Sequence, residues 1–134
     1  MKLYADEEGH ATVRTLTAIA VSAIARVEVP AALWRKHRLG ELAPEDVGVL
    51  VHAFEVDFDG AEGGDPRFAA VALTTTVLDD AARLCALHPL RAYDAVQLAS
   101  ALAARTADPH CDSFACFDDA LRQAAVQRGF TLVP

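Results

Sequence analysis

Apolar residues recur along the chain in two alternating patterns, which predict helices separated by short strands. In the helical segments apolar residues lie three and four positions apart, whereas the strand segments are short, continuous apolar runs. The predicted helices cover residues 8–18, 23–39, 44–58, 75–87, 91–105 and 119–127, and the predicted strands cover residues 19–22, 68–73, 113–117 and 130–133. Strands that alternate with helices through short loops predict an α/β fold with a parallel sheet and helices on both faces.

The ends of several predicted elements are marked by residues that favour helix termini or turns. A basic run at residues 35–38 precedes Gly40, and cations followed by a glycine are typical of a helix C-terminus. Pro44 is followed by two acidic residues, which is typical of a first helical turn. The segment 59–66 contains three glycines and one proline, and it is predicted to be a loop. Pro30 lies inside the second predicted helix and predicts a kink there.

The pattern also predicts which side chains are buried. The helix predicted over residues 75–87 has an apolar face that we expect to pack into the core through Val77, Leu78, Ala81, Leu84 and Cys85. The three cysteines are an odd number without a C-x-x-C spacing, which argues against disulfides and for a reduced, cytoplasmic protein with buried thiols. A zinc site formed by His110, Cys111 and Cys116 is an alternative, although it lacks a fourth ligand at a recognised spacing.

Length, composition and charge bound the class of protein. A chain of 134 residues with 53% hydrophobic residues matches one globular domain, which we assign to residues 1–134. Charged residues interrupt each apolar stretch before it reaches the roughly 18 residues of a membrane helix, and the first residues lack the apolar run of a signal peptide. A net charge of −7 argues against tight, sequence-independent binding of nucleic acid, but not against an enzyme that holds nucleic acid briefly.

Three carboxylates lie in unusually apolar surroundings. Glu28 has alanines and an isoleucine at helical spacing, and Asp94 lies near the start of an Ala- and Leu-rich helix. Asp118 follows a predicted strand, and ligands of α/β sheets bind at the carboxyl ends of strands. Each has a structural alternative. Glu28 can extend from the edge of the apolar face into water. Asp94 can interact with the helix dipole beside Arg91, and Asp118 or Asp119 can cap the next helix.

Together the three carboxylates predict a metal site. Carboxylates that converge near strand ends cannot all stay ionised without a counter-charge. Mg²⁺ prefers oxygen ligands and keeps several waters, which leaves positions for phosphate oxygens and an attacking water. We therefore expect Glu28, Asp94 and Asp118 to converge in one pocket, and the pattern favours a metal-dependent phosphodiesterase.

Three segments carry a resemblance to a known family. They read VSAIARVEVPAAL at residues 21–33, LRAYDAVQLA at residues 90–99 and FACFDDAL at residues 114–121. They look like the second, third and fourth motifs of PIN-domain ribonucleases, and the match is closest to the VapC toxins of VapBC toxin–antitoxin pairs. Each motif alone is a single acid in an apolar element, but the three occur in the family's order and spacing across nearly the whole chain.

The resemblance implies a three-layer α/β/α domain with a five-stranded parallel sheet and a Mg²⁺ or Mn²⁺ site. It also implies endonucleolytic cleavage of RNA, neutralisation by a cognate antitoxin and a homodimer. By position, Glu28, Asp94 and Asp118 correspond to the family's catalytic, metal-binding acids, whereas Asp119 matches a variable position. The basic run at residues 35–38 is then a candidate for contact with RNA phosphates, although a helix C-terminus explains it equally well.

One part of the family pattern is absent from the sequence. Family members open with a strand that ends in Asp followed by Thr or Ser, and residues 2–9 resemble the segment at the end of the next helix. The resemblance therefore implies that the first strand and its acid are missing and that Met1 corresponds to an internal residue of the family's domain. The alternative function is a catalytically impaired PIN domain that acts as an antitoxin-binding or self-associating module.

Overall fold

The computed structural model describes residues 18–133, in which helices and strands alternate. This alternation confirms the predicted α/β class, and most element boundaries lie within a few residues of their predicted positions. Residues 8–17 of the first predicted helix lie outside the described part of the chain. The elements are β1 (Ile19–Ser22), α1 (Ala25–Arg38), α2 (Pro44–Asp59), β2 (Phe68–Val71), α3 (Thr75–Leu87), α4 (Ala92–Ala107), β3 (Ser113–Ala115), α5 (Asp119–Gln127) and β4 (Thr131–Val133).

The strands form two separate pairs. β1 pairs with β2, and β3 pairs with β4. The second pair is parallel, with Phe114 opposite Leu132, and the Thr131 N–H donates to the Asp112 carbonyl at 2.9 Å. Within residues 18–133 no ladder joins the two pairs, so the single sheet that the pattern predicts is not formed by these residues. The strands are only three or four residues long, so each pair exchanges few backbone hydrogen bonds.

The chain divides into two compact units, of which the first contains Ala25–Ala69. Its apolar side chains lie between α1 and α2, and Phe54 packs against the rings of Phe58 and Phe68 at centroid distances of 5.5 and 6.3 Å. The α1 helix continues through Pro30. It ends at Arg38, and Gly40 follows two residues later with a φ of 76°, in agreement with the predicted C-terminal signal.

The second unit contains Ala20–Ile24 and residues 70–133, and its core is continuous. The Ser100 hydroxyl of α4 donates to the buried Ser22 hydroxyl at 2.9 Å, which ties the end of β1 to α4. The buried core cluster consists of Val77, Ala81, Leu84, Ala95, Leu98, Ala99, Phe114, Cys116, Leu121, Ala124, Ala125 and Phe130. Among the described helices none is long and apolar enough to cross a membrane.

The face of α3 that is buried in the structure is narrower than the face that the sequence pattern predicts. Val77, Ala81 and Leu84 are buried, but Leu78 is 47% exposed and Cys85 is exposed. The buried residues follow an i, i+4, i+7 spacing, which is a narrow stripe on one side of the helix. Leu78 and Cys85 lie next to that stripe, and the core of the second unit does not extend over them. The prediction of buried thiols therefore holds for Cys116 but is wrong for Cys85.

The N-terminus of α3 provides a test of local stability. The Thr74 hydroxyl accepts a hydrogen bond from the Val77 backbone N–H at 3.2 Å, which satisfies one of the amides without a helical partner. We expect Thr74→Ala to lower the free energy of unfolding by about 1 kcal/mol, measured by urea denaturation. Thr75→Ala, at the exposed first position of the same helix, is the control and is expected to change stability much less. Equal effects of the two substitutions would contradict the cap.

Candidate functional site

Asp118 lies between β3 and α5, directly before the first residue of α5. Its Oδ1 accepts a hydrogen bond from the Leu121 backbone N–H at 3.0 Å, so the side chain is an N-cap. This confirms the structural alternative for Asp118. The cap uses one carboxylate oxygen and fixes the orientation of the side chain, so that Oδ2 stays available for other partners.

Asp94 lies in the first turn of α4, as the sequence predicts. Its side chain is 18% exposed, and its Oδ2 accepts a hydrogen bond from Arg91 Nε at 3.1 Å. Arg91 is the N-cap residue of α4, with extended backbone angles and no side-chain cap bond. Because the positive end of the helix dipole lies in the first turn, the Asp94 carboxylate is stabilised there.

One guanidinium brings the two aspartates together. Arg91 also donates from Nη2 to Asp118 Oδ2 at 3.2 Å, so a single cation spans a carboxylate on α4 and a carboxylate at the start of α5. The side chain of Arg91 is 79% exposed, whereas that of Asp118 is 39% exposed. The sequence identified Arg91 as the cation beside Asp94, but it carried no signal for the contact with Asp118.

Glu28 belongs to the first unit. It lies in the first turn of α1 and is half-buried. An acid in a first turn is stabilised by the helix dipole, as Asp94 is in the second unit. Within the second unit, the carboxylate pair consists of Asp94 and Asp118.

The donor set of this pair fits a hard divalent cation. Among residues 18–133, no group of three or more His, Cys, Asp or Glu side chains is placed to hold a metal ion. Mg²⁺ is commonly held by only one or two protein carboxylates, together with waters and substrate phosphates. Asp94 and Asp118, which Arg91 brings together, would provide two such carboxylates.

Zinc does not fit the described residues in the same way. A zinc site needs three or four nitrogen, sulfur or oxygen ligands from the protein, and the alternative site of His110, Cys111 and Cys116 does not assemble in the described part of the chain. Cys116 is buried in the core, where its thiol packs among apolar side chains, while Cys111 is only half-buried.

Cys116 lies two residues before Asp118 and is strongly affected by its surroundings. Burial is the main cause that raises the pKa of its thiol to about 11; the charges of Asp118 and Asp94 act in the same direction, and the guanidinium of Arg122 opposes them. Arg122 also donates to the Cys116 carbonyl at 2.9 Å, which holds the chain between β3 and α5. The Cys116 thiol is therefore neutral at physiological pH.

This pKa predicts a pH dependence of thiol labelling. Because the thiolate is the reactive form, we expect exposed Cys85 to react with a thiol reagent at pH 8 about ten times faster than Cys116. Labelling of Cys116 should rise only as the pH approaches about 11. The pKa of the Cys116 thiol is higher in the folded state than in the unfolded chain. The neutral thiol therefore stabilises the folded state fully below about pH 9, and this stabilisation is lost as the pH rises to about 11. Variants that keep only one cysteine separate the two rates, and equal rates at pH 8 would contradict this assignment.

Two aromatic side chains lie beside the aspartates in the sequence. Tyr93 precedes Asp94 and is 62% exposed, and Phe117 precedes Asp118 and is 44% exposed. Each ring therefore presents part of its surface to solvent. Sequence reasoning missed both residues, and the available signal was that each directly precedes a candidate acid.

No protein-family model matches the chain, and a search of curated proteins finds no similar sequence.

Proposed function

We propose that the protein is a metal-dependent endoribonuclease of the PIN type, the toxin of a type II toxin–antitoxin pair. The observation that carries the proposal is the shared guanidinium of Arg91, which joins Asp94 and Asp118 beside the carboxyl end of β3. Both acids belong to segments that resemble family motifs, and the segments follow the family's order along the chain.

The chemistry follows from the two carboxylates. Asp94 and Asp118 would hold Mg²⁺ or Mn²⁺, and the resemblance adds Glu28 to the acidic set. A bound ion of this kind lowers the pKa of a coordinated water and neutralises charge on the phosphodiester. The hydrogen bond from the Leu121 N–H to Oδ1 holds Asp118 in place, and Oδ2 accepts a hydrogen bond from Arg91. The first turn of α4, in which Asp94 lies, is where the helix dipole favours a negative charge.

Exposed aromatic rings next to the acids support single-stranded RNA as the substrate. Unpaired bases stack on aromatic side chains, and each stacked base contributes about 1–3 kcal/mol to binding. Tyr93 and Phe117 are such rings, and each directly precedes one of the two aspartates in the sequence. The net charge of −7 favours brief contact with RNA over tight, sequence-independent binding.

The layer arrangement of the domain, its protein partners and its location are inferred from the resemblance to PIN-domain ribonucleases. We propose a PIN-like, three-layer α/β/α domain, to which the β1–β2 and β3–β4 pairs contribute the described strands. A cognate antitoxin and a second copy of the chain are the proposed protein partners, and the cytoplasm, where RNA is present, is the proposed location.

The direct test is cleavage of a mixed RNA pool by the purified protein. We expect internal cuts in RNA with Mg²⁺ or Mn²⁺ and about a hundredfold slower cleavage, or none, after a chelator is added, because the ion would supply the positive charge that stabilises the transition state at the phosphodiester. Restoring the ion after chelation should restore the rate. This control separates loss of the metal from loss of the fold.

A folded protein that cuts no RNA with either ion would contradict the ribonuclease proposal. It would instead favour the alternative, a catalytically impaired module that binds an antitoxin or a second copy of itself. If cleavage continues at the same rate in chelator, the proposed role of the metal is wrong. The cleavage of RNA would then have to be assigned to other residues.

A further inference from the structure

Arg91 is both paired with two carboxylates and open to solvent. It forms ion pairs with both Asp94 and Asp118, and its side chain remains 79% exposed to solvent. Exposed ion pairs contribute little to stability because water and salt screen them. The guanidinium therefore neutralises the two carboxylates, but its ion pairs are weak, and it can move away from them.

We propose that Arg91 is a displaceable counter-ion, which bridges Asp94 and Asp118 in the metal-free protein and binds the RNA phosphate once a divalent ion has taken its place. Because the aspartate pair is proposed to bind metal, this role of Arg91 rests on the proposed function.

The displacement follows from the oxygen atoms that Arg91 uses. It contacts Oδ2 of both aspartates, and the Oδ1 of Asp118 is already engaged by the Leu121 N–H. A divalent ion held by Asp94 and Asp118 would compete with Arg91 for the negative charge of the same two carboxylates. The guanidinium and the ion are both cations, so their close approach is unfavourable. Binding of the ion and the contact between Arg91 and Asp118 therefore compete.

The position of Arg91 keeps the released side chain close to the site. Its backbone caps α4 only three residues before Asp94, so its Cα stays at the start of that helix. A planar guanidinium binds phosphate oxygens through two parallel N–H donors, in the same way that it binds carboxylates. Once free of the aspartates, Arg91 offers these donors to a phosphate that approaches the ion.

Metal affinity gives the first test, and it does not depend on activity. Mn²⁺ binding to the full chain is measured by calorimetry for the wild type, Arg91→Gln and Arg91→Lys. We expect Arg91→Gln to bind Mn²⁺ about fivefold more tightly, because no internal cation has to leave, with Arg91→Lys between the two. Arg83→Gln is the matched control, since Arg83 forms an exposed pair with Asp80 at 2.6 Å on α3. Its Mn²⁺ affinity should equal that of the wild type.

RNA affinity gives the second test. The probe is a short, single-stranded RNA with phosphorothioate linkages, which slow cleavage, and Mn²⁺ is kept at saturation. We expect Arg91→Gln to bind this RNA about fivefold more weakly, and the slope of log affinity against log salt to become shallower by about 0.7, the value for one phosphate contact on a single strand. Arg83→Gln should keep the wild-type slope.

The outcomes separate the role of Arg91 from the proposed function. If Mn²⁺ binds the wild type and Asp94→Asn weakens that binding, but Arg91→Gln leaves both the Mn²⁺ affinity and the salt slope unchanged, the role of Arg91 is wrong and the metal site stands. If Mn²⁺ binds neither the wild type nor Arg91→Gln, the metal site itself is wrong, and the role of Arg91 is overturned with it. Tighter Mn²⁺ binding with an unchanged salt slope would overturn the phosphate contact.

Discussion

Replacing Asp94 with asparagine is expected to lower metal-dependent cleavage of RNA by at least about 100-fold, because even residues that only support a metal ligand cost about 10–100-fold when they are removed. Asparagine has nearly the same shape as aspartate but carries no charge, so it cannot neutralise a divalent ion. The substitution leaves the buried face of α4 untouched, since Ala95 and Leu98 form that face. It also removes the ion pair with the exposed Arg91 and the interaction of the carboxylate with the helix dipole, so the free energy of unfolding should fall by at most about 1 kcal/mol.

Asp80→Asn is the matched control for this experiment. Asp80 pairs with Arg83 in another exposed ion pair, three residues apart on α3. Its substitution should leave both cleavage and Mn²⁺ affinity at wild-type levels. Cleavage by Asp94→Asn at the wild-type rate would return Asp94 to a purely structural role as an acid at a helix N-terminus.

Asp118 allows the structural and chemical roles of one residue to be separated. Asn caps a helix about as well as Asp, whereas Ala does not cap it at all. We expect Asp118→Asn to keep the free energy of unfolding close to the wild-type value and to lower metal-dependent cleavage by at least about 100-fold. Asp118→Ala should show the same loss of cleavage and, in addition, lose about 1 kcal/mol of stability. Urea denaturation and RNA cleavage with Mg²⁺ measure the two effects independently.

The neighbouring residue provides the control for Asp118. Asp119 is exposed at the first position of α5, and its substitution by Asn keeps the cap of Asp118. We expect Asp119→Asn to cut RNA at close to the wild-type rate. A loss of cleavage in Asp119→Asn but not in Asp118→Asn would mean that Asp119, and not Asp118, is the catalytic acid. A loss of stability alone in Asp118→Ala, with cleavage intact in both Asp118 variants, would reduce Asp118 to a helix cap.

The sequence by itself determined the local elements of this protein. The boundaries of α3 and α5 agree with the predicted ranges 75–87 and 119–127, and the β1 range of 19–22 was also predicted. These boundaries depend on caps, glycines and apolar spacing, which act over three or four residues and are therefore visible in the sequence. The cap by Asp118 is a signal of the same kind, since its partner Leu121 lies three residues away.

Tertiary structure alone decided which surfaces are covered and which distant groups meet. The apolar spacing of α3 identified Leu78 as a core residue, but burial depends on how far the neighbouring elements extend, and Leu78 is left exposed. The strand segments were recognised, yet their pairing into two ladders depends on backbone partners far along the chain. The contact between Arg91 and Asp118 spans 27 residues and forms only because α4 and the start of α5 lie side by side in the second unit. No periodicity in the sequence encodes such a contact, because it depends on the path of the chain between the two residues.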